Sequence, residues 1–176
     1  MTGSPIALPP SGGSGSAFTQ TIFGGTVNDS KVSVIHQKAY FFQPYDRPMT
    51  HNGNIYGIPK TGKLGNADSA DYSTITTLGQ NLVDSQAGFI HEMTHVWQFQ
   101  SGMNVKTRAV FNRSYDYDFA KFGQKDFKKY GIEQQAQIVE DFYLLLHGRP
   151  IYHNGAPAQN PPPLQTYQVI TGKYFP

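Results

Sequence analysis

The chain has 176 residues, of which 38% are hydrophobic and 15% charged, with 18 glycines and 12 prolines; this fits one domain with a buried core and excludes a bundle of long helices. The net charge of +2 contains no block of like charge, so no nucleic-acid partner is expected; no window is apolar enough to span a membrane, and no basic-then-apolar start suggests a secretion signal. The absence of cysteine removes disulfides, thiol nucleophiles and thiolate metal sites, so any metal must be held by His, Asp or Glu.

Residues 1–24 include Leu8-Pro9-Pro10 and the run Ser11-Gly12-Gly13-Ser14-Gly15-Ser16. Such a composition buries too little apolar surface to offset its ordering entropy, so it reads as a flexible linker ahead of a folded domain over residues 25–176. From Lys31 onward the runs are short and β-rich: Val32, Val34 and Ile35, then Ala39-Tyr40-Phe41-Phe42, ended by Pro44 and Pro48. A third run, Asn54-Ile55-Tyr56-Gly57-Ile58, follows the turn signal His51-Asn52-Gly53 and stops at Pro59. It is expected as a strand, either in the core of a small sheet or at an exposed edge open to an extended substrate. Residues 61–71 are rich in Gly, Asn, Asp and Ser and predict a surface loop.

Helical spacing begins after Asp84-Ser85, read as the N-cap, and Phe89, Ile90, Met93, Val96 and Trp97 sustain it to Ser101-Gly102, which predicts a helix over 85–100. Residues 107–130 are Tyr- and Lys-rich and loosely periodic; Lys121, Lys125, Lys128 and Lys129 read as a solvated basic face. A second helix is predicted over 132–146, with Ile132, Ala136, Val139, Phe142, Tyr143 and Leu146 apolar, Gly148 as its C′ residue and Pro150 beyond. The proline-rich remainder is expected to wrap irregularly. The fold class is α+β, a small sheet followed by two helices.

The chemistry concentrates in His91-Glu92-Met93-Thr94-His95. Four residues carry a helix through about 400°, so both imidazoles leave one face about 6 Å apart along the axis and can share one cation. Glu92 lies too far round the helix to join them comfortably, yet close enough to reach a water at the ion, which makes it the candidate general base. With six His and three Glu in the chain, this pattern arises by chance in on the order of a few chains per thousand. A third histidine in the form His-x-x-Gly-x-x-His is excluded, because Gln98 and Ser101 stand where it needs Gly and His.

The remaining glutamates, Glu133 and Glu140, both fall on the second predicted helix. They stand two turns apart, about 10 Å along the axis, so only one can bind the ion directly. Glu133 is preferred, because Ala136 one turn on lets the helices approach and Gln137 can bond a ligand. Glu140 is left either as an acceptor for a histidine N–H or as an ordinary solvated side chain. The expected metal set is His91, His95 and Glu133 around Zn²⁺ with a fourth position open to water. Tyr130, Tyr143 and His147 are the candidates to steady an oxyanion.

His91-Glu92-Met93-Thr94-His95-Val96-Trp97-Gln98, followed by Glu133-Gln134-Gln135-Ala136-Gln137, resembles the zincin metallopeptidases with a glutamate third ligand, the gluzincins, in which that ligand often sits in Glu-x-x-Ala. More closely, the chain resembles the C-terminal metallopeptidase toxin domain of type VI secretion spike proteins of the VgrG type, over residues 32–146. Residue by residue, the resemblance implies that His91, His95 and Glu133 bind zinc and that Glu92 is the base. Gln137 departs from the Glu-x-x-x-Asp form of some gluzincins, which puts the orientation of the ligand histidines in question and leaves Glu140 or Asp141 as the candidates to supply it. The resemblance further implies a zincin-like fold, an antibacterial effector secreted through a type VI machine, action on a protein or peptide in the target-cell periplasm, and a linker joining the domain to the spike body. It leaves room for an immunity protein as a further partner.

Two other readings compete with this one. In the first, the domain keeps the metal for stability and binds a partner through its Tyr- and Lys-rich insert. In the second, it is a housekeeping peptidase with no toxin role.

Overall fold

The computed structural model describes residues 6–7, 17–35, 37–39, 48–56, 80–103, 105, 115, 117, 119, 126–153 and 156–176. The expected strand residues Tyr40 to Phe42, the end of the third run at Gly57 and Ile58, the loop over 61–71, most of the Tyr- and Lys-rich insert and the Gly/Ser run of the linker lie outside them.

In chain order the elements are β1 (Ile6–Ala7), α1 (Ala17–Phe23), a 3-10 turn (Asp29–Lys31), β2 (Ser33–Ile35), β3 (Met49–His51), β4 (Asn54–Tyr56) and α2 (Gln80–Gln100). A second 3-10 turn (Phe127–Lys129), α3 (Ile132–Leu146), β5 (Tyr152–His153), β6 (Ala156–Pro157) and α4 (Leu164–Thr171) complete them. The molecule is mixed α+β with a small sheet, as the sequence indicates. Its four strands run in the order β1-β2-β4-β3. β2 and β4 are parallel, with Val34 beside Ile55, and β3 and β4 form an antiparallel hairpin, with Thr50 beside Ile55.

That hairpin follows from its turn. Asn52 and Gly53 have φ of 52° and 74°, the left-handed pair that suits a two-residue connection between twisted strands. The turn is legible in the sequence; the strand before it, Met49–His51, is not, because it is short and follows Pro48. Its presence places Asn54–Tyr56 between two neighbours, which corrects the reading of that run as an open edge. Among the described residues β3 is an edge strand, and it lies against α2.

The N-terminal expectation also needs adjustment. Ala17–Phe23, inside the stretch read as linker, is helical, and Ile22 and Phe23 are buried in the core. The apolar residues after Ser16 supply what the Gly/Ser run lacks. Likewise the tail after Pro150 is more ordered than expected: α4 begins after Pro163 and buries Tyr167 and Ile170, a three-residue spacing on one face.

α2 begins four residues ahead of Asp84, so Asp84 is not its N-cap; its carboxylate takes two hydrogen bonds from the Arg149 guanidinium, at 3.1 and 2.8 Å, just past the end of α3. The helix stops where predicted. Gly102 at φ 77° lets the Met103 N–H reach the Gln98 carbonyl and its own N–H reach that of Phe99, a Schellman ending. α3 has the predicted bounds and ends the same way, with Gly148 at φ 66° and the Arg149 and Gly148 N–H groups on the carbonyls of Leu144 and Leu145.

α3 packs principally on α2. Ala87 and Ala136 are fully buried, small enough to let the two axes approach, and Ile90, Met93, Ile138 and Val139 fill the seam without exposure. Each such side chain contributes about 1.5–3 kcal/mol relative to exposure. Behind α2, Trp97, Phe127 and Phe175 meet edge to face or tilted at 5.0–5.8 Å and fasten the chain's last residues to the helix.

Candidate metal centre

The apolar face of α2 is committed to the seam and the sheet, which turns His91 and His95 to α3. Their rings stand edge to face, with centroids 5.1 Å apart. Glu133, in the first turn of α3, puts Oε2 at 3.5 Å from Nε2 of His91 and 3.3 Å from Nε2 of His95. The three donor atoms all lie within 4.8 Å of one another. Atoms bound at 2.0–2.1 Å to one tetrahedral ion stand about 3.4 Å apart, so the spacing suits a divalent cation with little movement.

The hydrogen bonds on the far side of each ring decide whether those nitrogens can act as ligands. Nδ1 of His91 lies 2.8 Å from Oε2 of Glu140, which can only accept when ionised, so Nδ1 carries the proton. Nδ1 of His95 lies 2.8 Å from Oε1 of Gln98. That amide is not free to flip, because its Nε2 donates to the Ile132 carbonyl at 2.9 Å and to Oε1 of Gln135 at 3.0 Å, while Nε2 of Gln135 donates to the Tyr130 carbonyl at 2.8 Å. The relay therefore fixes an acceptor opposite His95 as well. With each Nδ1 engaged by its outer acceptor, it is Nε2 of both rings that faces Glu133, and loss of the Nε2 proton leaves the tautomer that metal binding needs.

Electrostatics agree with this donor chemistry. Burial works to lower the His91 pKa, yet its bonds to Glu133 and Glu140 and the nearby Glu92 lift it from 6.5 to about 10. Burial would raise the Glu133 carboxyl, but hydrogen bonds from His91 and His95 hold it well below the usual carboxylate range. Three carboxylates, Glu133, Glu140 and Glu92, thus favour positive charge at His91, the electrostatic condition for a cation site.

The expected residues fall into distinct places. Glu133 stands between the two Nε2 atoms, and Glu140 bonds the outer nitrogen of His91 rather than lying free in solvent. Glu92 is buried outside this set, 8% exposed, and Oε2 of its carboxylate accepts from the Thr50 hydroxyl at 2.7 Å. Asp141 is fully buried and accepts hydrogen bonds from Tyr117 and from Gln137, whereas Glu140 is the carboxylate at Nδ1 of His91.

The oxyanion candidates fare differently from the ligands. Tyr143 donates its hydroxyl to Gln86 at 2.8 Å, Tyr130 is buried in the core, and His147 caps the far end of α3 against the Tyr143 ring, about 20 Å along the axis from Glu133. Among the described residues, an aromatic ring that does stand beside the cluster is Tyr115, half exposed, its centroid 6.0 Å from that of His91. Sequence reasoning did not single out Tyr115, Thr50 or Gln98. Only Gln98 offered a signal, an amide one turn beyond a ligand histidine.

Replacing Gln98 by Leu is expected to weaken zinc binding about 10–100-fold, the usual effect of losing an orienting partner. It strands the His95 N–H and the Gln135 oxygen in a dry seam. Competition titration against a zinc chelator reads the change, and an affinity equal to that of the parent would show that the relay does not orient His95.

No protein-family model matches the chain. It is 34% identical over 134 residues to the type VI secretion system spike protein VgrG2b of Pseudomonas aeruginosa, a match that covers 73% of this chain and 12% of that protein. The chain thus spans a small part of the length of its curated relative. Among solved structures it is similar to the effector domain of Pseudomonas aeruginosa VgrG2b, with a TM-score of 0.58 and 30% identity, over 82% of this chain and 79% of that one. No described helix is long and apolar enough to cross a membrane.

Proposed function

Because the chain belongs to the family of the VgrG2b effector domain, we propose that it is a type VI secretion effector domain with a zincin-type site, hydrolysing peptide bonds in the periplasm of a target bacterium. The observation that carries this reading is the convergence of His91, His95 and Glu133 within 4.8 Å, with a buried carboxylate, Glu92, beside them and outside the ligand set.

Zinc held by those three residues would supply a Lewis acid and a more acidic water. The chain's own groups do the rest. Glu140 and the Gln98 relay keep both rings in register, so the site needs little reorganisation as charge develops. Glu92 takes the proton from the attacking water and later delivers it to the departing amine. The same resemblance assigns delivery to attachment on a spike body, with the protein or peptide substrate met only after injection. An immunity protein is a corresponding partner in the producing cell.

The test is expression of the domain in a bacterial periplasm and in the cytoplasm, with cleavage by the purified protein followed in parallel. Growth arrest confined to periplasmic expression, and cleavage lost on chelation and restored by zinc, are expected. Harmless periplasmic expression with intact zinc-dependent cleavage would leave a housekeeping peptidase, and toxicity without cleavage would leave the binding module.

A further inference from the structure

We propose that Thr50, on the edge strand β3, is the positioning residue that aims the Glu92 carboxylate. This rests on the reading of Glu92 as the base. A glutamate side chain turns about three torsions, and an HExxH helix fixes only where the first of them starts. A buried carboxylate also requires a hydrogen-bond donor. Among the described residues that donor is the Thr50 hydroxyl, 2.7 Å from Oε2 of Glu92 and 2.9 Å from the carbonyl oxygen of the same residue.

The strand gives the hydroxyl a fixed direction. Thr is β-branched and stiff at χ1, and its neighbours in the hairpin are pinned: Thr50 pairs with Ile55, and Phe99 of α2 covers Gly53 so closely that an added Cβ would stand 2.6 Å from the ring. With Oε2 held by Thr50, Oε1 is the oxygen left for the substrate water.

One hydroxyl has one proton and can also accept. While Glu92 is ionised, Thr50 donates to Oε2. Once Oε1 carries the proton taken from water, Oε2 is the carbonyl oxygen of the acid and still accepts from the Thr50 hydroxyl. No proton passes to Thr50, and the carboxyl keeps its direction until it protonates the amine.

The test compares Thr50→Val, which keeps the shape and loses the hydroxyl, with Thr50→Ser, which keeps the hydroxyl. Zinc content, kcat and KM on fluorescein-labelled casein, and the visible spectrum of the cobalt-substituted protein are measured for each beside Glu92→Gln. Thr50→Val is expected to lower kcat about 10–100-fold, a part of the roughly 10²–10⁴-fold that acid–base catalysis contributes, with KM and zinc content within about twofold of the parent. It should also shift the cobalt spectrum as Glu92→Gln does, while Thr50→Ser restores both kcat and spectrum. A Thr50→Val protein with the parent's kcat and spectrum, or a Thr50→Ser protein as impaired as Thr50→Val, overturns the proposal. A parent protein without Glu92-dependent cleavage removes the peptidase reading, and the cobalt spectra then decide separately whether Thr50 aims Glu92.

Discussion

Replacing Glu92 by Gln is expected to lower the rate of peptide hydrolysis about 10²–10⁴-fold while zinc content stays that of the parent. Gln has the size of Glu and can still accept from the Thr50 hydroxyl, which lies 2.7 Å from Oε2, so the packing of α2 against β3 survives. What it lacks is a basic oxygen to take a proton from water. Because Glu92 is not among the three residues whose donor atoms converge, the metal has no reason to leave. Metal analysis beside a casein assay, with growth after periplasmic expression as a third reading, separates the possibilities. Toxicity that persists in the variant would point to a partner-binding module that uses its metal for stability alone.

The second large effect is a contrast between two carboxylates. Glu133→Ala is expected to leave the purified protein essentially without zinc, because it deletes the oxygen at 3.3–3.5 Å from both Nε2 atoms. Glu140→Ala should weaken zinc about 10–100-fold, since it removes the acceptor at 2.8 Å from Nδ1 of His91 and leaves the ligand set complete. Equal occupancy in the two variants would undo the assignment.

Proton competition sharpens the same experiment. His91 is raised from 6.5 to about 10 in the metal-free protein. A raised histidine stabilises the metal-free fold fully below about pH 6.5, and that contribution is lost as pH rises through about 10. Zinc must displace this proton, so its apparent affinity should climb with pH across that window and binding should release protons. Calorimetry in buffers of different ionisation heat reads the release directly; an affinity flat between pH 6.5 and 9 would contradict it.

The site was legible in the sequence to the extent that it is local. A four-residue repeat on a helix places two imidazoles by geometry alone, and with only three glutamates in the chain elimination brings Glu133 and Glu140 to the opposite helix. The helix ends at Gly102 and Gly148 were equally readable, because the left-handed residue that closes a Schellman ending is glycine in both places. Thr50 and Gln98 were not assigned roles, since these depend on which strand and which amide a tertiary fold brings alongside. Asp84 misled for a related reason: it has the chemistry of a helix cap, but Arg149 claims it from across the molecule. The helices Ala17–Phe23 and Leu164–Thr171 are seven and eight residues long, too short to be stable alone; their packing onto the core makes them.

The ring behind the metal-binding helix gives the molecule an optical reporter of its own. The chain has a single tryptophan, two positions after His95, 5% exposed and enclosed by Phe127, Tyr174 and Phe175. All of its indole emission therefore comes from one spot on the back of the active helix, where it senses whether the C-terminal residues are docked.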